Sequence, residues 1–181
     1  GLSYEEIIVS GTLGVVLFGA AAPLAGWLAD KYSRAILITV YPFGLGLGSF
    51  LAAFSQSTEM LGLSLGILGF FAAIYHPVGI AMIVKRPGKV GLRLGINGVW
   101  GNMGVALAPI LTGFLIAYAD WRLGFFIPSI MCLLFGISQL FAFIEQDETE
   151  VKVDNTKNSK SSSVLTEGWQ TVLFCLSIVT L

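Results

Sequence analysis

The chain is divided into long apolar blocks by short polar links. Five of the blocks are complete, and none of these five contains Asp, Glu, Lys or Arg. A helix needs about 20 apolar residues to cross the hydrocarbon core of a bilayer, and each block is long enough. The blocks are too long and too apolar for the buried helices of a soluble protein. The pattern therefore predicts an all-α polytopic membrane protein, with spans over residues 7–29, 35–58, 60–84, 94–119 and 123–144.

The composition agrees with a membrane location and gives no sign of a metal or cofactor. Hydrophobic residues make up 55% of the chain and charged residues 12%, against about 25% charged in a soluble domain. Cys132 and Cys175 lie in separate apolar stretches without metal-ligand spacing, which predicts buried thiols. The formal net charge is -1. The apolar composition predicts the lipid bilayer as a partner. No nucleic acid is expected, although the near-zero net charge by itself indicates nothing about one.

The basic residues are distributed unequally between the two sides of the predicted spans. They concentrate on the links 30–34, 85–93 and 145–167, while Arg122 is the one base on the opposite links. Cytoplasmic links of membrane proteins carry the excess of Lys and Arg, so the first set of links is predicted to be cytoplasmic. Its basic residues are Lys31, Arg34, Lys85, Arg86, Lys89, Arg93, Lys152, Lys157 and Lys160.

The link between the first two spans places an acid and two bases at the predicted membrane surface. Its sequence, GWLADKYSR over residues 26–34, resembles the signature loop of the major facilitator superfamily, which reads roughly G-x-L-A-D-R-x-G-R-R. Ser33 replaces a glycine of that pattern, and Ala35 replaces its second base. The matching positions are Gly26, Leu28, Ala29, Asp30, Lys31 and Arg34.

The resemblance implies a place for the chain within a transporter of twelve helices. Since the signature loop joins helices two and three of that family, residues 1–144 would be the N-terminal bundle without its first helix, containing helices two to six. The polar segment 145–167 would be the cytoplasmic linker, and 168–181 the start of the second-half bundle. The first residue is Gly1 and not Met. The chain is expected to be a fragment whose missing second half is its partner.

Two short motifs are similar to one branch of the superfamily, the fosmidomycin-resistance-type transporters. Residues 75–79, YHPVG, are similar to the Y-H-P-x-G segment of that branch. Residues 120–122, DWR, with Phe125 and Pro128 resemble the start of its helix six. The resemblance implies proton-coupled efflux of a small drug-like or toxic compound by alternating access. It also implies a multi-pass protein of the plasma (inner) membrane, in a bacterium.

The fourth span resembles the antiporter signature of helix five in the superfamily, G-x8-G-x3-G-P-x2-G-G. Small residues let helices approach closely, and proline loosens the local hydrogen-bond ladder. Ala108 and Thr112 replace two glycines of the pattern, but the spacing fits at all six positions, so the match favours antiport. The alternative is a chance match, since membrane helices tolerate Gly and Pro. The matched positions are Gly95, Gly104, Ala108, Pro109, Thr112 and Gly113.

His76 is the only histidine, and it lies among apolar residues in the third span. On a continuous helix it would share one face with small residues that include Gly62, Gly66 and Gly69. Ionisable groups inside a membrane are costly and usually functional. His76 is therefore predicted to contact substrate or to sense protons. The alternative is a neutral imidazole that is hydrogen-bonded across a helix interface.

Residue counting from the 85–93 link adds further residues to this candidate site. His76 and Asn102 lie nine residues from either end of the link, which places both about 13 Å into the membrane on neighbouring helices. Together with Tyr75 and Trp100 they are predicted to form a polar, aromatic-lined wall suited to an amphiphilic ligand. Asn97, shallower on the same helix, is a further candidate for substrate binding or proton sensing. Hydrogen bonding between helices alone is the alternative.

The signature loop is predicted to serve a gate at the cytoplasmic face. Asp30 ends a predicted helix, where it can accept hydrogen bonds from basic side chains or from a neighbouring helix N-terminus. Such contacts can hold one face shut and break when the two halves rock apart. The predicted gating residues are Gly26, Asp30, Lys31 and Arg34. Topological anchoring by the two bases alone is the alternative.

Other functions compete with efflux. Uptake of an organic metabolite is one, and a non-transporting receptor or assembly subunit is another. An enzyme is not expected, although residues 62–66 match the G-x-S-x-G pattern of serine hydrolases. Ser64 and His76 lie about 18 Å apart along one helix, and a serine nucleophile needs its base within about 3 Å. No Asp or Glu lies in the five spans, so a proton-carrying acid would lie outside them.

Overall fold

The computed structural model describes residues 3–85 and 88–154, with side chains described as far as residue 141. Within these ranges the chain forms helices and no strand, so the all-α prediction is confirmed. The helices are α1 (Tyr4–Lys31), α2 (Arg34–Ala53), α3 (Thr58–Ala72), α4 (Tyr75–Lys85), α5 (Val90–Tyr118) and α6 (Leu123–Asp154).

The described residues contain five helical units that are long and apolar enough to cross a membrane. Three of them are α1, α2 and α5. The fourth combines α3 and α4 over Thr58–Lys85, and the fifth is Leu123–Phe141 of α6. A chain with this series of apolar helices has the architecture of a multi-pass membrane bundle.

Most helix ends differ from the ends of the predicted spans; helix α2, for example, ends at Ala53 and not at residue 58. Two of these differences affect the candidate site and the predicted linker. Helix α5 begins at Val90, before the predicted start at residue 94. Helix α6 continues through Asp154, into the polar segment predicted as a linker, since residues 145–154 contain neither Gly nor Pro to stop it. The predicted linker residues 155–167 and the predicted second-half start at 168–181 lie outside the described residues. The division into bundle, linker and second half stays a prediction.

Helix α3 lies between α1 and α2, and glycine permits the close approach at both contacts. A Cβ atom on Gly69 of α3 would overlap the backbone of Gly14 in α1. A Cβ atom on Gly48 of α2 would lie only 2.8 Å from the backbone nitrogen of Leu68. Small residues at crossings allow membrane helices to pack backbone against backbone. These glycines therefore fix the positions of α1 and α2 against α3.

Helix α2 also packs against α6. The Ser129 hydroxyl donates to the carbonyl of Gly46 at 2.9 Å, and both residues are buried. A hydroxyl inside a membrane bundle needs such a partner, because water does not reach it there. Cys132, one turn further along α6, is buried in the cluster that also contains Tyr41 of α2. Helix α6 is thus attached to the bundle through α2.

The third span is broken between α3 and α4. The Ile74 N–H donates to the Phe71 carbonyl at 3.1 Å, which tightens the chain at the end of α3. Pro77 has no N–H to donate to the carbonyl of Ala73, one turn earlier. The small-residue face of α3 is buried, as expected of a face that packs against protein, but His76 lies beyond the break and is exposed. The prediction of one continuous face that includes His76 is therefore wrong.

Candidate functional site

An ion pair joins the two helices on either side of the signature loop. Arg34 Nη2 lies 2.9 Å from Asp30 Oδ1, so the last turn of α1 is tied to the first turn of α2. The Asp30 side chain is 79% exposed, while that of Arg34 is 23% exposed. Among the described residues, the buried Nε of Arg34 has no hydrogen-bond partner. Arg34 can therefore hold Asp30 and still donate to a further acceptor.

Lys31 makes a different kind of contact. Its Nζ lies 4.9 Å from the ring centroid of Trp27 and 5.8 Å from that of Tyr32. Aromatic faces attract cations, and Trp and Tyr are common at membrane–water interfaces. Lys31 is thus placed to anchor the end of α1 at the interface, while Arg34 pairs with Asp30.

The end of α1 that leads into the signature loop packs against α4. Ala25 and Ala29 are buried in the same cluster as Tyr75. A Cβ atom on Gly26 would lie 3.8 Å from Cβ of Pro77, an ordinary van der Waals distance. The end of α1 before the signature loop and the Y-H-P segment, which are distant in sequence, therefore form one packed unit.

Tyr75 and Asn97 are brought together by the structure. The Tyr75 hydroxyl donates to Asn97 Oδ1 at 2.6 Å, across the contact between α4 and α5. Tyr75 is only 4% exposed, and its ring lies 5.8 Å, centroid to centroid, from that of Tyr41 in α2. A buried phenol of this kind is positioned from both sides. In this conformation Tyr75 supports the site from within the bundle and does not present its ring to a ligand.

His76 lies next to Tyr75 but faces outward. Its ring is exposed and contacts two aromatic rings edge to face: that of Tyr75 at 5.6 Å and that of Phe18 in α1 at 5.7 Å, centroid to centroid. The ring contacts seen for His76 are with aromatic neighbours on α1 and α4. The predicted proton-sensing or substrate-contacting role of His76 stays a prediction.

Asn102 and Trp100 do not join Tyr75 in the described structure. The Asn102 side-chain amide donates to the Gly98 carbonyl of its own helix at 2.8 Å. Because α5 begins at Val90, Asn102 lies about 18 Å along the helix from its start, deeper than the equal depth expected for it and His76. Trp100 lines a shallow apolar groove of about 490 Å³ on the first half of α5.

The antiporter-like positions of α5 differ in their surroundings. Gly104 is buried, whereas a Cβ atom on Gly95 or Gly113 would meet nothing within 4 Å in the described chain. The Thr112 hydroxyl donates to the Ala108 carbonyl at 2.7 Å, within the helix. A hydroxyl bonded to the preceding turn is a common way to satisfy Thr inside a helix. The antiport role of this motif stays a prediction.

Phe18 and Tyr41 were not among the predicted site residues, although both rings adjoin the Y-H-P segment. Phe18, Ala25 and Ala29 share one face of α1 at helical spacing, and two of them are small and buried. That spacing was the available signal for Phe18. Tyr41 carried no comparable signal, since its place depends on how α2 crosses α4.

The D-W-R segment forms a tie at the opposite face of the bundle. Arg122 Nη2 donates to the Ser55 carbonyl at 2.9 Å, and its guanidinium carbon lies 4.7 Å from the Trp121 ring centroid. The Arg122 N–H donates to Asp120 Oδ1 at 2.9 Å. The α5–α6 link is thereby fixed to the α2–α3 link, which gives the motif a structural role.

The serine of the hydrolase-like pattern is buried and hydrogen-bonded within its own helix. Ser64 is buried in α3, and its hydroxyl donates to the Met60 carbonyl at 2.7 Å. His76 lies beyond the helix break, in α4. The described residues also contain no group of His, Cys, Asp and Glu that could hold a metal ion.

Comparison with known proteins gives related sequences. Over 135 residues the chain is 30% identical to a puromycin resistance protein of Streptomyces alboniger, covering 73% of this chain and 26% of that protein. It is 32% identical over 123 residues to a putative multidrug resistance protein of Pectobacterium atrosepticum, covering 67% and 26%. A probable hexose phosphate transport protein of Chlamydia muridarum is 25% identical over 138 residues, covering 75% and 30%.

The chain thus spans less than a third of the length of these relatives. No solved structure matches it. The family model of the Major Facilitator Superfamily matches residues 1–180, almost the whole chain. Together with the five apolar helices, this match shows that the chain is part of a multi-pass membrane protein that belongs to the Major Facilitator Superfamily.

Proposed function

We propose that the full-length protein is a secondary transporter that exports small drug-like or toxic compounds across the plasma membrane of a bacterium. The observation that carries the proposal is the Asp30–Arg34 ion pair, at 2.9 Å, in a loop packed against the helix that holds His76. A charged latch beside a membrane-embedded polar residue is compatible with alternating access, in which one part of the bundle rocks against another around the substrate site. Two drug-resistance relatives support export.

The latch would act by changing partners between conformations. Asp30 is largely exposed, so its pair with Arg34 contributes little to stability, and it can open at small cost. Ala25 and Gly26 pack against α4, so opening of the loop would move the Y-H-P segment with it. Through such coupling, opening or closing of the gate would change the conformation of the substrate site.

Coupling to protons is part of the proposal, and antiport is its form. His76 is the one ionisable His, Asp, Glu, Lys or Arg side chain within the charge-free stretches, and imidazole is the group that changes charge near physiological pH. The Y-H-P-x-G segment and the antiporter-like spacing of α5 support the fosmidomycin-resistance-type branch. A coupling carboxylate, if one acts, would lie outside the predicted spans.

Uptake of a phosphorylated metabolite is the second candidate. The hexose phosphate transport relative favours it. Phosphate groups are commonly bound by Arg or Lys, however, and the predicted spans hold no Lys or Arg. Arg34 and Arg93 lie at or near the first residues of α2 and α5, on the side predicted to be cytoplasmic. This distribution favours an uncharged or cationic substrate for the part of the site that this chain supplies.

A transport assay in cells tests the proposal. The full-length gene would be expressed in a bacterial strain without its own drug exporters, and intracellular ethidium and puromycin would be measured with and without a protonophore. If the protein exports these compounds, cells that express it should accumulate less of them than control cells. The protonophore should raise accumulation back to the level of the control cells. Unchanged accumulation of both compounds, together with protein-dependent uptake of labelled hexose phosphate, would favour the second candidate.

A further inference from the structure

We propose that Phe18 is a specificity-determining residue, and that it forms with His76 a ligand-contacting pair that selects planar aromatic compounds. The inference rests on the proposed function and deepens it. The two rings meet across the α1–α4 contact with centroids 5.7 Å apart and an interplanar angle of 78°. Both side chains remain accessible, Phe18 being 38% exposed.

The placement of His76 indicates that this surface faces a cavity. Residue 76 lies about 13 Å from the end of α4, well inside the hydrocarbon depth of a bilayer. Ionisable and polar side chains at this depth face the protein interior or a water-filled cavity, not lipid. The surface beside His76 is therefore the kind of place that a soluble ligand reaches.

The chemistry of the pair fits a flat ring. Aromatic groups prefer edge-to-face or offset-stacked neighbours. Phe18 and His76 already form one edge-to-face pair, and a planar ligand can stack on an open face or extend the edge-to-face row. The charge-free stretches of α1, α2 and α5 add no acid or base to this surface. Shape and ring stacking, and not a fixed charge pair, would therefore select the ligand.

The pair is held in place from behind. Tyr75 contacts the His76 ring at 5.6 Å and is itself bonded to Asn97 at 2.6 Å. Ala25, two turns after Phe18, is buried in the cluster that contains Tyr75. Helix α1 thus packs against α3 at Gly14, before Phe18, and against α4 at Ala25, after it. Because its helix is held on both sides of Phe18, a ligand need not order these rings when it binds, which favours affinity.

Substitution of Phe18 tests the inference. Phe18→Leu removes the ring but keeps an apolar side chain of similar size, and Phe18→Tyr keeps the ring. Leu24→Ala, at another exposed position of α1, is the matched control. The full-length protein in detergent would be titrated with ethidium, which is planar, and with dodecyltrimethylammonium, which is a cation without a ring. Thermal unfolding would check that each variant is folded.

The expected result is a ring-specific loss. Phe18→Leu should raise the Kd for ethidium about two- to tenfold, the range that one aromatic contact accounts for, while the aliphatic cation binds as before. Phe18→Tyr and Leu24→Ala should retain wild-type affinity for both. Equal losses for the two cations, no loss for ethidium, or no binding of ethidium to the wild type would overturn the inference. If the binding results are as expected but the full-length protein transports no ethidium, export would be refuted while the proposed ligand contact at Phe18 and His76 would be retained.

Discussion

The Tyr75 hydroxyl donates to Asn97 Oδ1 at 2.6 Å, and this bond joins α4 to α5. Helix α5 touches its neighbours in the described chain over short stretches only, so one strong polar contact has a large influence on its position. Tyr75 also begins α4, directly after the break in the third span. The bond therefore holds α5 against the segment that carries His76.

A double-mutant cycle measures this coupling. Asn97→Ala removes the acceptor from a buried hydroxyl and is expected to lower the melting temperature of the full-length protein in detergent. Tyr75→Phe removes the donor. The two changes should be non-additive, with a coupling free energy of about 1 kcal/mol, the upper part of the range for hydrogen bonds between membrane helices. Strict additivity would show that the bond does not contribute to stability.

The gate predicts a loss of transport without a loss of folding. Asp30→Asn removes the charge that Arg34 contacts at 2.9 Å, and we expect transport to fall strongly while membrane insertion stays normal. Stability should change little, because the Asp30 side chain is largely exposed. Lys31→Gln, which leaves the ion pair in place, is the control for charge at the interface. Wild-type flux in the Asp30→Asn variant at normal expression would reduce the loop to a topological anchor.

The glycine contact between α1 and α3 predicts a position-specific loss of stability. Gly69→Ala places a Cβ atom in the backbone of Gly14, so the helices must move apart, and overpacking of this kind costs about 1–3 kcal/mol. Gly62→Ala, on the same interface, would place its Cβ 3.6 Å from Ser10, an ordinary contact. Thermal unfolding of the two variants should differ accordingly. Equal melting temperatures would contradict the observed helix separation.

Much of the fold could be predicted because a bilayer imposes long apolar helices. The break near Pro77 could also be anticipated, since proline lacks the N–H that continues a helix. The register between α4 and α5 could not. It depends on where α5 starts, and the polar residues up to Arg93 gave a later start than Val90. Because α5 starts earlier than expected, Asn97 and not Asn102 lies at the level of the Y-H-P segment, where it accepts a hydrogen bond from Tyr75.

The sequence indicates candidate residues for the site but not their contacts. The signature loop points to Asp30 and Arg34, and the lone histidine points to His76; their roles stay predictions. Phe18 is a hydrophobic residue among many in α1, so its relation to His76 appears only once the α1–α4 crossing is known. The end of α6 could not be predicted from hydrophobicity either. The helix continues to Asp154, because a polar segment without Gly or Pro can continue a helix.

His76 predicts a change in the pH dependence of transport. The elements packed against α4 contribute no acid or base within their charge-free stretches; Tyr75 is the titratable neighbour, and Asp30, Arg34, Lys85 and Arg93 lie at or near helix ends. His76→Gln should therefore change the pH dependence of transport or the substrate affinity, with the fold intact. An unaltered profile with wild-type affinity would assign His76 to helix packing, where His76→Leu would lower thermal stability modestly.

The most direct test of the central claim, export coupled to protons, is a flux measurement in inside-out membrane vesicles that contain the full-length protein. In such vesicles the cytoplasmic side of the protein faces the external medium, so export from the cell corresponds to transport into the vesicle. An acidic vesicle interior should then drive ethidium into the vesicles, and added ethidium should partly dissipate the pH gradient. Asp30→Asn should strongly reduce both effects. If wild-type vesicles take up no ethidium, or take it up equally with and without the pH gradient, the account would be contradicted.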